Sequence, residues 1–249
     1  MELLLVLFSV VIGSFLNVFI TRYPLNKSLL NSSSCNFCKT KIKYHNNIPI
    51  ISFLLLKGKS KCCNKKINIR YLIVEIITPL VSILILSLPI DLKDKILLIL
   101  LSYLLIITFY IDWEHHLIFL KLNFLIFLTG LFFSFSNFSI YYFIHLIFSS
   151  SVGFLMVFGI RWFYLKTRNI EAIGLGDGFY LAAMGSWLPI FYNLYNFILG
   201  SILALFFAVI FQKKNLKAHI PLGSYLSISS FLVILDTNYF HLLDEILSL

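Results

Sequence analysis

The sequence predicts an all-α fold: a polytopic membrane helix bundle of about eight transmembrane helices, with one small cytoplasmic loop domain. Three observations lead there. Hydrophobic residues make up 59% of the 249 and charged residues only 12%, whereas a soluble domain is about half apolar and a quarter charged. Such a chain has too few polar side chains to coat its own surface, so lipid has to cover much of it. The apolar residues also gather into runs near the ~20-residue length that carries a helix across a bilayer. Finally, eleven Lys or Arg and no Asp or Glu lie between Arg22 and Arg70, as in a loop held on the cytoplasmic side.

The runs are 2–20, 71–90, 95–113, 117–136, 139–163, 178–191, 193–211 and 220–236. The first opens with Glu2 rather than a basic segment, and no small-x-small cleavage pattern follows. It reads as a helix that stays in the membrane. The sixth run is short, limited by the glycines at 174–178 and by Pro189. The domain reading is therefore a first transmembrane helix (1–20), a basic loop with a cysteine cluster (21–70) and a transmembrane bundle (71–249). Residues 134–139 (Ser-Phe-Ser-Asn-Phe-Ser) read as a short outer turn.

With the N-terminus outside, 21–70, 114–116, 164–177 and 212–219 face the cytoplasm. Those segments and their edges hold Arg161, Lys166, Arg168, Lys213, Lys214 and Lys217 besides the eleven, seventeen of the twenty basic residues. The opposite orientation would export nearly all of that charge. The net charge of +9 therefore follows from topology. It does not point to nucleic acid, whose binding modules interleave basic and aromatic residues on a folded surface.

All four cysteines, Cys35, Cys38, Cys62 and Cys63, lie in the basic loop. Cys35 and Cys38 form a C-x2-C pair of the kind that presents two thiolates to a tetrahedral Zn²⁺. A regular second pair would need a cysteine at position 60, where Ser60 stands, so Cys62 would have to substitute. The cytosolic side disfavours disulfides. A structural zinc site and a set of reduced thiols both remain open.

Among the eleven acids, Glu2, Asp91, Asp94, Asp236, Asp244 and Glu245 sit at outer loops or ends. Glu75, Asp112, Glu114, Glu171 and Asp177 do not. A carboxylate at membrane depth is costly unless it is paired or faces a wet cavity. Asp112 closes the third run, and Asp177 ends Gly174-Leu-Gly-Asp177 just before the sixth, at one predicted depth. Two carboxylates brought together share a proton, so that one takes a proton from water while the other donates to a carbonyl oxygen. Gly174 and Gly176 would let the backbone bend toward a substrate strand. The competing reading makes the two aspartates helix-end acids, one of them an N-cap. Glu75 contacts the basic loop or a substrate amine, or else forms a charge pair with Arg70. Asn17 and Arg22 position the first helix or a substrate, and Arg22 also reads as an interfacial anchor. His115 and His116 either tune Asp112 or are wet turn residues.

Read in order, the motifs resemble the prepilin (type IV leader) peptidases, a family of Gly-x-Gly-Asp intramembrane aspartic peptidases. Gly13-Ser-Phe-Leu-Asn-Val-Phe-Ile-Thr-Arg-Tyr-Pro24 is similar to the family's first-helix signature. The C-x2-C, Asn47-Ile-Pro-Ile-Ile-Ser, Leu55-Leu-Lys-Gly58 and Ile69-Arg-Tyr-Leu-Ile-Val-Glu75 resemble its cytoplasmic loop. Ile111-Asp112 and Gly174-Leu-Gly-Asp177 match its two catalytic aspartates, and Ile220-Pro-Leu-Gly-Ser-Tyr-Leu226 resembles the start of its last helix. The resemblance implies an enzyme of the bacterial inner membrane that cuts the basic leader from prepilin-like precursors of pilus, secretion or competence systems. Its aspartates and cysteine loop would face the cytoplasm. Many members also methylate the new N-terminus from S-adenosylmethionine. Three positions depart from the pattern: Phe179 stands where a Lys is usual, Phe119 and Leu120 where Pro-Asp is usual, and Ser60 where the third cysteine is usual. These departures leave methylation open. Two other function classes stand beside the peptidase: a non-catalytic scaffold, which the departures favour, and an ion-coupled transporter, against which the apolar helix centres count.

Overall fold

The computed structural model describes residues 2–35, 37–136, 140–171, 173–211 and 220–237. Lys213, Lys214, Lys217, Asp244, Glu245, the side chain of Glu2 and residues 137–139 of the expected outer turn lie outside the described residues, while 134–136 of that turn are helical instead. The chain divides into two compact units, Met1–Leu88 and Pro89–Leu249.

In the first unit, α1 (Glu2–Arg22) and α3 (Arg70–Leu86) flank a loop interrupted by α2 (Ile51–Leu55) and by 3₁₀ turns at 23–25 and 44–46. α1 and α3 pack along one another. The side-chain amide of Asn17 donates to the carbonyl of Tyr71 at 2.9 Å, and Arg70 donates to Thr21 Oγ1 at 2.8 Å. These bonds join positions that recede along α1 as they advance along α3, so the pair is antiparallel. Residues 71–88 thereby belong to the first unit.

The second unit contains α4 (Leu92–His115), α5 (Leu120–Ser136), α6 (Ile140–Arg168), α7 (Leu175–Met184), α8 (Ile190–Phe211) and α9 (Leu222–Leu235). Every run read from the sequence is thus a helix. Among the described residues, four segments are long and apolar enough to cross a membrane: Leu4–Leu25, Leu92–His115, Phe143–Arg168 and Ile190–Ile210. Large apolar side chains such as Phe8, Phe148 and Leu205 stand exposed on them, as lipid-facing residues must. The chain is a polytopic helical membrane protein. α7, the sixth run, has only ten residues and rises about 15 Å, half of what a hydrocarbon core needs. It packs against α5, α6, α8 and α9, so protein covers it. Pro189 precedes the first residue of α8 and its carbonyl accepts the amide of Asn193 at 2.9 Å, a helix start that suits proline.

The helix centres are less uniformly apolar than the sequence runs imply. Tyr180 on α7 is fully buried, and its hydroxyl meets Ser230 Oγ at 2.8 Å. Asn196 on α8 donates to Ser230 Oγ at 2.9 Å and accepts the hydroxyl of Ser229. These groups are bonded to one another across α7, α8 and α9, which is how polar residues hold helices together in lipid. Replacing Asn196 with Leu should therefore strip partners from Ser229 and Ser230 and cost about 1–2 kcal/mol. A lowered thermal midpoint in detergent would register the loss, and an unchanged midpoint would refute the assignment.

Candidate active site

Asp112 lies in the last turn of α4, and its backbone carbonyl accepts the amide of His116, the left-handed residue that ends the helix. The side chain is only 4% exposed. Its Oδ2 accepts the Ser224 backbone amide at 2.7 Å and meets the Ser224 hydroxyl at 3.1 Å. Gly223 lies directly beside the carboxylate, where a Cβ would come 3.1 Å from Oδ2. Gly223 and Ser224 lie in the first turn of α9, so the carboxylate sits at the positive end of that helix. The Ser224 hydroxyl also reaches the Phe109 carbonyl at 2.9 Å. His116 is near enough for its charge to bear on Asp112.

Asp177 is in the first turn of α7 and is 7% exposed. Gly174 is the N-cap, so Asp177 is the third helical residue and not the cap itself. Its Oδ2 reaches back beside Gly174, 3.2 Å from where a Cβ would stand, the direction taken by the third residue of a capping box. The helix-end reading is thus half met, but it leaves one oxygen over: Asp177 Oδ1 is buried with no partner. A buried acceptor left bare is costly, which marks this atom as available to a ligand or a shared proton. The two aspartates are close enough for the charge of Asp112 to act on Asp177.

The glycines serve differently from the expectation. Neither Gly174 nor Gly176 takes a left-handed backbone; Gly174 has φ −71° and Gly176 is helical. What matters is the missing side chain. A Cβ on Gly176 would lie 2.9 Å from Ile118 Cβ, and one on Gly223 would lie 2.5 Å from Ile118 Cδ1 and 3.1 Å from Asp112 Oδ2. Ile118 therefore packs against the residue before Asp177 and against the residue that holds Asp112.

Two further side chains anchor the approach to Asp177. Asn123 on α5 donates to the Gly176 carbonyl at 3.3 Å. Arg161 on α6 donates to the Ile173 carbonyl at 3.2 Å and pairs with Glu171 at 2.6 Å. Glu171 thus steadies the loop before the motif, and Glu114 is exposed. At the departing positions, the Phe179 ring lies 5.1 Å from that of Phe154 on α6. The Phe119 carbonyl starts α5 by accepting the amides of Leu122 and Asn123. Ser224, Gly223, Ile118, Asn123 and Arg161 went unnoticed as site residues in the sequence. A signal existed only for Gly223 and Ser224, inside the Ile-Pro-Leu-Gly-Ser motif.

Asn17, Arg22 and Glu75 belong to the first unit. Arg22 is neither a bare anchor nor a free substrate contact: it donates to the carbonyls of Ser28, Leu29, Asn31 and Ser32 and gathers the loop around itself. Arg70 lies over the Tyr71 ring, besides its bond to Thr21. Glu75 receives the Ile50 amide at 2.7 Å, so it contacts the loop, as one of its two readings held. Ile50 has φ +62°, and the Ile51 amide turns back onto the Pro49 carbonyl. A β-branched residue held there costs about 1–3 kcal/mol, and Glu75 helps to hold it.

The cysteines converge although two are adjacent. Cys35 and Cys38 occupy a turn closed by the bridge Ser34–Lys41, and Cys62 and Cys63 a turn closed by Lys59–Lys66. The two turns repeat each other. The amides of Cys35 and Ser60 each bond across their turn, to Thr40 and Lys65, and Lys39 and Asn64 each take the left-handed residue. Ser60 thus stands where Cys35 stands in the first turn, and Cys62 supplies the fourth sulfur from a neighbouring position. All four Sγ lie within 4.8 Å of one another, with Cys35 and Cys63 at 3.8 Å and Cys38 and Cys62 at 3.0 Å. Four thiolates at ~2.3 Å around one tetrahedral ion would stand about 3.8 Å apart. The cluster can bind a metal. The contact with Cys62 brings the Cys38 thiol down to about 6, and the same contact pushes Cys62 up to about 11.

Residues 7–88 match the family model described as the bacterial peptidase A24 N-terminal domain, and residues 99–209 match that of the type IV leader peptidase family. The prepilin leader peptidase/N-methyltransferase of Vibrio cholerae serotype O1 is 32% identical, with 92% of this chain and 95% of the relative covered. A type 4 prepilin-like proteins leader peptide-processing enzyme of Escherichia coli O78:H11 is 30% identical, covering 88% and 87%. A prepilin leader peptidase/N-methyltransferase of Klebsiella pneumoniae is 34% identical over 71% of this chain and 80% of its own. No solved structure matches the chain.

The packing around Ile118 makes a test. Gly223→Ala should destabilise the fold by the ~1–3 kcal/mol typical of overpacking, read as a lowered thermal midpoint, and adding Ile118→Ala should restore part of it. A double variant less stable than the sum of the two single changes would contradict the contact.

Proposed function

The chain belongs to the type IV leader peptidase family, and from that premise we propose that it is an intramembrane aspartic endopeptidase that removes the basic leader from prepilin-like precursors, with Asp112 and Asp177 as the catalytic pair. The observation that carries this reading is the pair itself. Two buried carboxylates from distant motifs flank Ile118, which packs against Gly176 beside Asp177 and against Gly223 beside the Asp112 carboxylate, and one of them keeps a bare oxygen.

Hydrogen bonding divides the labour. Asp112 Oδ2 receives both the amide and the hydroxyl of Ser224, which suits the ionised partner. Asp177 Oδ1 is free to carry the shared proton. Asp112 takes a proton from water as its oxygen attacks the scissile carbonyl carbon, and Asp177 protonates the carbonyl oxygen. In the second step the carbon–nitrogen bond breaks. The leaving amine takes the proton held by Asp112, and a hydroxyl of the tetrahedral intermediate returns one to Asp177. The pair titrates as a unit.

The orientation follows the basic residues: the cysteine loop and both aspartates face the cytoplasm of a bacterial inner membrane, where a basic leader stays. Zinc is the metal that the four-sulfur donor set favours, held by Cys35, Cys38, Cys62 and Cys63 as a structural ion. The Vibrio and Klebsiella relatives also carry N-methyltransferase in their names. If this chain shares that activity, S-adenosylmethionine would supply the methyl group.

Asp112→Asn and Asp177→Asn should each abolish cleavage of a prepilin-like precursor by the purified protein while membrane insertion stays normal; residual processing by either would reject the pair. Ser224→Ala keeps the backbone donor and should lower kcat about tenfold, since one hydrogen bond to a charged group contributes about 1.5–3 kcal/mol. Purified protein should carry one zinc per chain. Chelation should open the loop to protease and leave helical circular dichroism intact, and a metal-free protein with an equally resistant loop would dismiss the zinc assignment.

A further inference from the structure

The basic loop of the first unit dips to the depth of its helices. Gly13 packs against α3, where a Cβ on it would stand 3.2 Å from Glu75 Cα. Gly13 lies within Leu4–Leu25, a segment apolar enough to cross a membrane, and about 13 Å short of the end of α1 at Arg22 by the helical rise. Phe15, at the same level, stands half exposed. The Ile50 amide donates to Glu75 Oε2 at 2.7 Å, and a glutamate side chain is short against that distance. The chain at Ile50 therefore enters the layer where α1 faces lipid, and α2 begins there.

The short helix has two faces. Phe53 and Leu56 turn inward and line a cavity of about 470 Å³ beside Glu75, which Val18 of α1 also lines, and Ser52 is buried. Ile51, Leu54 and Leu55 share the other face by their i, i+3, i+4 spacing, and they are 53%, 61% and 78% exposed. Lys57, Lys59 and Lys61 follow and are exposed, and no Asp or Glu lies between Arg22 and Arg70. An apolar face followed by lysines, with no acid to offset them, complements the acyl boundary and the headgroups of an anionic leaflet.

We propose that α2 is a membrane-docking element: Ile51, Leu54 and Leu55 enter the leaflet beside α1, and Lys57 and Lys59 pair with the phosphates of anionic phospholipids. The basic loop is then partly seated in the bilayer, and Glu75, by holding the left-handed Ile50, sets the depth of the seat. The inference does not depend on the peptidase reading, because every residue it uses lies in the first unit.

The test uses the wild-type protein in vesicles of equal parts phosphatidylglycerol and phosphatidylcholine, with a photoreactive diazirine on the acyl chain of one lipid at a time. Adducts are mapped by peptide mass spectrometry. Residues 51–55 should be labelled at least one third as densely as the exposed Ile147 and Phe148 of α6. Weaker labelling, as a second copy covering that face would give, overturns the proposal. Adducts at 51–55 should also favour the anionic lipid at least threefold, and Lys57→Gln/Lys59→Gln should lower that ratio at least twofold with an unchanged melting midpoint. A smaller preference in the wild type, or an undiminished one in the folded double variant, overturns it as well. If the double variant does not fold, the wild-type ratio decides alone. None of these readouts involves cleavage, so this proposal and the peptidase reading fail separately.

Discussion

The second unit is organised around one buried carboxylate. Asp112 sits where apolar helices converge, and a charge there is tolerated only with dense polar company. The start of α9 supplies it, through the amide and the hydroxyl of Ser224. A helix N-terminus has amides to offer and a buried carboxylate has lone pairs to fill, so each completes the other. The bond joins α4 to a helix more than a hundred residues later. That pairing leaves Gly223 no room for a side chain and brings Ile118 against both motifs.

Asp177 is treated differently. Its helix is short and surrounded by others, its preceding loop is pinned by Asn123 and Arg161, and its Oδ1 has no partner. One aspartate is well supplied with donors and its neighbour is left short. That difference suits the sharing of one proton proposed for the pair. The aromatic residue at the position where the family usually has Lys does not disturb this arrangement: Phe179 packs onto Phe154.

The first unit solves another problem. Its loop has little apolar material to bury, and it is ordered by small polar devices instead. Arg22 collects four carbonyls, Glu75 holds the left-handed Ile50, and two similar turns bring four sulfurs together. A small domain of this kind commonly draws its remaining stability from a metal. The serine at position 60 is accommodated because the adjacent Cys62 reaches the same centre from its own turn.

Much was legible in the sequence because hydrophobicity is local information. The eight apolar runs, the short sixth among them, and the family motifs could be read without coordinates, since helices in lipid must satisfy their own backbones within each segment. The two aspartates also stood out, because acids at the edge of apolar runs are costly wherever they point. Which residues gather around them depends on contacts between distant segments, for which a single sequence carries no periodic signal. Ser224, Ile118, Asn123 and Arg161 are ordinary residue types whose roles arise only when α9, α5 and α6 close on α4 and α7. The meeting of Cys62 with Cys38, the polar network at Asn196 and the cavity beside Glu75 were likewise decided by tertiary packing, because hydrogen-bond partners and empty space are properties of the folded arrangement and not of the chain.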